Sequence, residues 1–278
     1  MKNSNISWTD HTFNPWIGCS KVSCGCKNCY AEFRMAIWLK RVEWGPHGTR
    51  KRTSPDNWLQ PERWNAEAKR KGIRYRVFTA SLADVFEDRA ELLPWRDELH
   101  DLIRRTPHLD WLLLTKRPAM AAEYYKRHPL PGNVWLGTSV EDQAAAGLRI
   151  PILASIPVAI RFLSCEPLLA EITNIDLSKI GWLITGGESG PGFRPMKPEW
   201  AQSSLLLTPS QWRTCSAFAE PTAQGGEWPT GRWDGRPGAC DPAGSPSAYN
   251  APKQVPPPAT PISGALQAVA GKKPFGST

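Results

Sequence analysis

Short, unbroken apolar runs recur along the middle of the chain, and each ends in a cluster of polar residues. They are Arg76-Val-Phe-Thr-Ala-Ser-Leu-Ala-Asp84, Trp111-Leu-Leu-Leu-Thr-Lys-Arg-Pro118, Val134-Trp-Leu-Gly-Thr-Ser-Val-Glu141, Ile160-Arg-Phe-Leu-Ser-Cys-Glu-Pro167 and Trp182-Leu-Ile-Thr-Gly-Gly-Glu-Ser189. None alternates cleanly between apolar and polar. That is the pattern of strands buried on both faces, as in parallel sheets. The connections read as helices. Leu92, Trp95, Leu99, Leu102 and Ile103 fall on one helical face, and Glu141 to Ala154 predicts another helix that Pro151 limits or kinks. A further strand at about 12–18 brings the number to six. Strand, helix, strand at this spacing predicts an α/β fold. Right-handed crossovers then curl the sheet into a partial or full (β/α) barrel of about six parallel strands.

Two stretches depart from this rhythm. Residues 45–76 hold nine Lys or Arg against three acids, with Trp58 and Trp64 interleaved. They read as a basic, partly helical insertion, either a solvated helix or a surface that tracks a nucleic-acid backbone and stacks bases. Residues 201–278 contain 12 Pro and 9 Gly in 78 positions, including Pro256-Pro257-Pro258. At that density packed structure is not expected, so the barrel domain is assigned to 1–200 and an irregular tail to 201–278.

With 278 residues, 41% of them hydrophobic, the chain can bury one sizeable core. No window approaches the run of about 18 apolar residues that a membrane span needs. The N-terminus has no apolar stretch resembling a signal peptide. The expectation is a cytoplasmic protein with no membrane partner. A net charge of +8 favours an anionic partner, a nucleotide or nucleic acid, and leaves room for a protein partner.

Four of the seven cysteines fall within eleven residues: Cys19, Cys24, Cys26 and Cys29. In a long chain without a leader such a cluster reads as metal or redox chemistry rather than a disulfide scaffold. Thiolates suit iron–sulfur clusters and zinc alike. Cys26-x-x-Cys29 reaches two corners of one centre, Gly25 lets the backbone wrap closely, and Cys19 or Cys24 closes a third. A four-thiolate zinc knuckle needs all four in a very tight loop. Three ligands with one open position fit more easily.

In βα barrels the active site forms at the carboxyl ends of the strands. Ser81 and Asp84, Thr115, Lys116 and Arg117, Ser139 and Glu141, Ser164 and Glu166, and Glu188 all stand there. The cysteine loop also follows a strand and belongs on the same rim. Gly186-Gly187-Glu188-Ser189-Gly190-Pro191-Gly192 lets the backbone approach a ligand, and it lacks the GK[ST] of a phosphate loop. Lys116 and Arg117 can meet a carboxylate or phosphate, and Pro118 can open the next helix.

Several motifs in order, from Asn14-Pro15-Trp16 and Gly25-Cys26-Lys-Asn-Cys29-Tyr30-Ala31 through Leu114-Thr115-Lys116-Arg117-Pro118, Gly137-Thr138-Ser139-Val140-Glu141 and Ser164-Cys165-Glu166-Pro167 to Gly186-Gly187-Glu188-Ser189-Gly190, resemble one uncharacterised family. This is the phage-associated gene-product-thirty-seven/sixty-eight family, radical-SAM-like with a three-cysteine motif. The resemblance covers about residues 5–200. It implies a [4Fe-4S] cluster on Cys19, Cys26 and Cys29, with Cys24 not a ligand. The resulting C-x6-C-x2-C is longer than the C-x3-C-x2-C usual in radical SAM enzymes. It further implies S-adenosylmethionine at the open iron, cleaved to a radical that abstracts hydrogen from substrate. Tyr30, Ser81, Glu141, Glu166 and Glu188, with Gly186 and Gly187, are the implied cofactor-side residues. Asp84, Thr115, Lys116, Arg117, Ser139 and Ser164, from their place at the strand ends, are the candidates for the substrate side. The family's closing Lys-Gln-Trp-Gly-like strand has no counterpart after Gln202, which reads as a change of frame near 201–205.

Overall fold

The computed structural model describes residues 4, 6–206 and 214–216. Seven parallel strands form one sheet in the order β1 (His11–Thr12), β4 (Tyr75–Thr79), β5 (Leu109–Thr115), β6 (Val134–Ser139), β7 (Ile160–Cys165), β8 (Trp182–Thr185) and β9 (Thr214–Ser216). Every neighbouring pair is parallel, with Val77 opposite Trp111, Leu113 opposite Leu136 and Leu163 opposite Leu183. β1 and β9 stand at the two edges, so the sheet is an open half-barrel. Two strands of two residues each, β2 (Trp16–Ile17) and β3 (Lys51–Arg52), pair antiparallel beside it.

The unbroken apolar runs have a direct cause. Alternate side chains of each strand enter two different cores. Val77, Trp111, Leu113, Val134, Leu136, Leu163 and Leu183 point to the helical layer. Phe78, Leu112, Phe162, Trp182 and Ile184 point to the concave side, where Trp8 packs edge-on against Phe78 at 4.7 Å. Gly137 is small because Phe162 crosses it: a Cβ there would lie 2.4 Å from that ring.

The helices α2 (Pro55–Lys71), α3 (Leu93–Arg105), α4 (Pro118–Arg127) and α5 (Gln143–Ser155) supply the opposing apolar stripes. In α3 Leu99, Leu102 and Ile103 are fully buried. Pro118 opens α4 at N1 as expected. Asp142 caps α5, accepting from the Ala145 amide at 2.8 Å, and α5 runs through Pro151 to Ser155.

Three expectations are corrected. The first strand is two pieces, β1 and β2, with Pro15 between them, because proline cannot donate to a ladder. Residues 45–76 are not an insertion: α2 is the crossover helix from β1 to β4 and packs on β4 and β5. It is capped by Ser54, begun by Pro55 and ended by left-handed Gly72. Its Trp58 and Trp64 lie in the core at 7% and 1% exposure, so neither offers a face to a base. Regular structure also continues past 200, through α6 (Pro198–Leu206) and β9. The remainder of the expected irregular tail lies outside the described residues. Among the described residues no helix is long and apolar enough to cross a membrane.

Candidate metal centre and cavity

The carboxyl ends of the strands and the loop after β2 enclose a cavity of about 970 Å³. The loop reaches it because Gly18, with φ of 112°, bridges to Ala83 and donates to the Leu82 carbonyl at 3.0 Å. A 3-10 turn (Cys24–Cys26) and a short helix α1 (Tyr30–Glu32), prolonged by a π-helical turn (Phe33–Trp38), complete it. Cys19, Cys26 and Cys29 all line the cavity. Cys24 is exposed and its thiol donates to Asp142 Oδ2 at 3.2 Å.

Three anchors hold the loop. The first grips Cys19. Arg117 donates to the Ser20 carbonyl and hydroxyl, both at 2.9 Å, and to Cys19 Sγ at 3.8 Å. Asp84 receives Arg117 at 2.9 Å, Thr115 Oγ1 at 2.7 Å and the Lys116 amide at 3.1 Å. Ser20 in turn donates to Glu87 at 2.6 Å, and Glu87 is paired bidentately with Arg50 at 2.6 Å on both oxygens. Burial, and then the Asp84 charge, push the Cys19 thiol up to about 12. Burial also raises the Cys29 thiol.

The second anchor is under Gly25. Glu141 is fully buried, accepting from Ser23 Oγ at 2.7 Å, Lys116 Nζ at 3.0 Å and Arg149 Nη1 at 2.7 Å. Burial alone would raise its carboxyl, but Lys116, Arg149 and Ser23 outweigh burial and hold it below the ordinary range. A Cβ on Gly25 would lie 2.3 Å from Glu141 Cγ and 2.4 Å from Oε1. Only glycine lets the loop rest there.

The third anchor is the glycine-rich turn. Glu188 accepts from Asn28 Nδ2 at 3.0 Å and from the Arg194 amide and Nε at 2.8 and 2.9 Å, and it also pairs with Arg194 Nη2. Asn28 reaches the Gly192 carbonyl at 2.7 Å, and Arg194 the Cys24 carbonyl at 3.1 Å.

The cavity walls are lined by the expected Tyr30, Ser81, Asp84, Thr115, Lys116, Arg117, Ser139, Ser164, Glu166, Gly187 and Glu188. Two residues expected on the cofactor side are elsewhere. Glu141 lies beneath the loop, and Gly186 spends its backbone on Cys165 and Leu168, at 3.1 and 3.0 Å. Tyr30 donates to the Ser81 carbonyl at 2.6 Å, while the Ser81 hydroxyl is held by Asn14. Burial raises Glu166 to about 7, against hydrogen bonds from Trp8 and Ser164.

The sequence reading missed Arg50, Glu87, Asn28, Arg34 and Arg194. Local signals exist for three of them: Glu87 stands three residues beyond Asp84, Asn28 lies between Cys26 and Cys29, and Arg194 follows Glu188 by six residues. Arg50 meets Glu87 only through the fold.

Among the described residues no three His, Cys, Asp or Glu side chains gather closely enough to grip a single metal ion. A cuboidal cluster takes each thiolate on a different iron, so its ligands share a cavity without meeting at a point. A donor set of three thiols that line one cavity together with polar groups fits that group.

The chain is therefore an α/β half-barrel protein with a thiol-lined cavity at the carboxyl ends of its strands. It belongs to the protein family of unknown function DUF5131, whose pattern matches residues 3–214, beyond the point at which a change of frame was expected. No curated protein matches the chain. A solved structure similar to it is a mutant spore photoproduct lyase with bound AdoMet and dinucleoside spore photoproduct, at a TM-score of 0.46 and 13% identity. The alignment covers 66% of this chain and 57% of that one, so the chain spans little more than half of its length.

Proposed function

We propose that the protein is an iron–sulfur enzyme that uses S-adenosylmethionine, with Cys19, Cys26 and Cys29 as the ligands of a [4Fe-4S] cluster. The observation that carries this is the selection among the four local thiols: three line one cavity and Cys24 turns away to Asp142. That division favours a three-ligand cluster with an open corner over a four-thiolate zinc knuckle. When bound, the cluster would deliver an electron to the sulfonium of S-adenosylmethionine.

The chain's own residues have separable tasks in this reading. Arg117 positions Cys19 through Ser20 and lies 3.8 Å from its sulfur. Glu141 and Glu188 fix the two ends of the segment that carries Cys26 and Cys29. Ser139, Ser164 and Glu166 offer polar groups along the wall, and Arg34 adds a cation for a carboxylate or phosphate. An anionic substrate, a nucleotide or nucleic acid, matches this lining and the net charge of +8. Free thiols suit a reducing cytoplasm.

Anaerobic purification tests the proposal. The expected result is a brown chain absorbing near 400 nm with about four iron per chain. Iron is lost in Cys26→Ala and kept in Cys24→Ala. A colourless chain with one zinc and no iron overturns it. Reductive cleavage of S-adenosylmethionine by the loaded chain then tests the enzymatic half, and a loaded chain that leaves it intact overturns that half.

A further inference from the structure

Half of the large apolar side chains exposed among the described residues lie on one segment, directly after the cysteine loop. They are Tyr30, Phe33, Ile37, Trp38 and Leu39, with Ile37 59% and Trp38 69% exposed. Ala31 and Met35, on the inward side, are buried, and Met35 packs with Ile17 and Val42. The segment is thus held by one face and presents the other.

Cations surround the apolar face. Lys27, Arg34, Lys40 and Arg41 are exposed, and among the described residues none has a carboxylate within ion-pair distance. The nearby acid Glu32 is taken by Lys21 at 2.7 Å. Two of these residues, Tyr30 and Arg34, also line the cavity, so the patch adjoins it.

Unpaired cations next to presented aromatic rings match a ligand with regular negative charge and flat apolar faces. A second copy of the chain fits poorly, because a two-fold pairing would bring like charges together. We propose that the segment 30–41 docks single-stranded nucleic acid, with bases stacking on Trp38 and Phe33 and phosphates meeting Lys27, Arg34, Lys40 and Arg41. The strand leads toward the cavity mouth at Tyr30 and Arg34. This deepens the reading of that cavity as the reactive site and rests on it. It also moves nucleic-acid recognition away from Trp58 and Trp64, which the core encloses.

The test is the fluorescence anisotropy of a short labelled oligothymidylate titrated with the full chain, at several salt concentrations. The expected result is salt-dependent binding, weakened at least about fivefold by Trp38→Ala. Replacing Lys40 and Arg41 together by Gln is expected to reduce the log–log salt slope by about 1.4. Melting of both variants stays at the parent's value, because the altered side chains are exposed.

The proposal is overturned by the absence of salt-dependent binding, by variants that bind like the parent, or by a duplex that binds as tightly as the single strand. It is also overturned if sedimentation finds a dimer that Trp38→Ala dissolves. Iron is assayed separately. Binding by an iron-free chain that cannot be loaded supports the docking surface and removes the cluster. A loaded chain that ignores the oligonucleotide does the reverse.

Discussion

Replacing Gly25 by alanine tests the support of the cysteine loop at its tightest point. The new Cβ would fall 2.3 Å from Glu141 Cγ and 2.7 Å from Cδ, whereas ordinary contact begins at 3.4 Å. Something must therefore move by about 1 Å. A glutamate at the surface would swing aside, but Glu141 is held on three sides, by Ser23 at 2.7 Å, Lys116 at 3.0 Å and Arg149 at 2.7 Å. Moving it takes the carboxylate from buried Arg149 and half-buried Lys116, so the loop yields instead. Metal–ligand distances tolerate about 0.2 Å, and a shift of 1 Å beside Cys24 and Cys26 is several times that. Overpacking of this kind costs about 1–3 kcal/mol, or roughly 2–4 °C of melting temperature per kcal/mol in a domain of this size. The assay is iron per chain after anaerobic reconstitution, together with the melting temperature of the metal-free chain. Both are expected to fall. In a Glu141→Ala background, where the space is open, the added cost of Gly25→Ala should shrink, making the two substitutions strongly non-additive. A Gly25→Ala chain that loads iron and melts like the parent refutes the argument.

Other outcomes follow from the remaining anchors. Arg50→Met removes the bidentate partner of the Glu87 carboxylate, in a pair whose side chains are 0% and 3% exposed, and leaves it Ser20 at 2.6 Å and Arg117 at 3.8 Å. It should cost about 3 kcal/mol in urea denaturation, the low end for breaking a buried pair. Glu188→Gln weakens the hold of Arg194 and Asn28 on the loop and should lower iron content with little change in melting. Burial sets Glu166 at about 7, so the folded metal-free chain keeps a proton that the unfolded chain releases. Its contribution to stability is full below the ordinary carboxylate pKa of about 4.3 and is lost as pH rises to about 7. Glu166→Gln removes that fall. A difference between parent and variant that stays constant from about pH 4 to about pH 8 contradicts the assignment.

The strands were legible because burial on both faces leaves an unbroken apolar run, and their polar ends marked the rim. Leu99, Leu102 and Ile103 announced α3 by spacing alone. What escaped has physical reasons. Charge obscured α2: its Lys and Arg suggested an exposed insertion, although Ser54, Pro55 and Gly72 carried its caps. An indole suits a core or a surface equally well, so nothing local placed Trp58 inside and Trp38 outside. A glutamate after a strand looks the same whether it faces a cavity, as Glu166 does, or supports a loop from below, as Glu141 does. The difference is made by Ser23 and Arg149, and only the fold brings them together.

The third anchor also bears on timing. Glu188 and Arg194 are made 159 and 165 residues after Cys29 (188 − 29 and 194 − 29). At about 5–20 residues per second, roughly ten to thirty seconds of synthesis separate the thiols from the side chains that shape their loop. The cysteines emerge first, yet their setting is among the last parts of the sheet to be completed. A nascent chain would thus hold bare thiols that are not yet arranged to select a metal. If Cys19, Cys26 and Cys29 hold a cluster as proposed, loading belongs to the finished domain, and truncation before 194 should leave a chain that contains the three cysteines and assembles no centre.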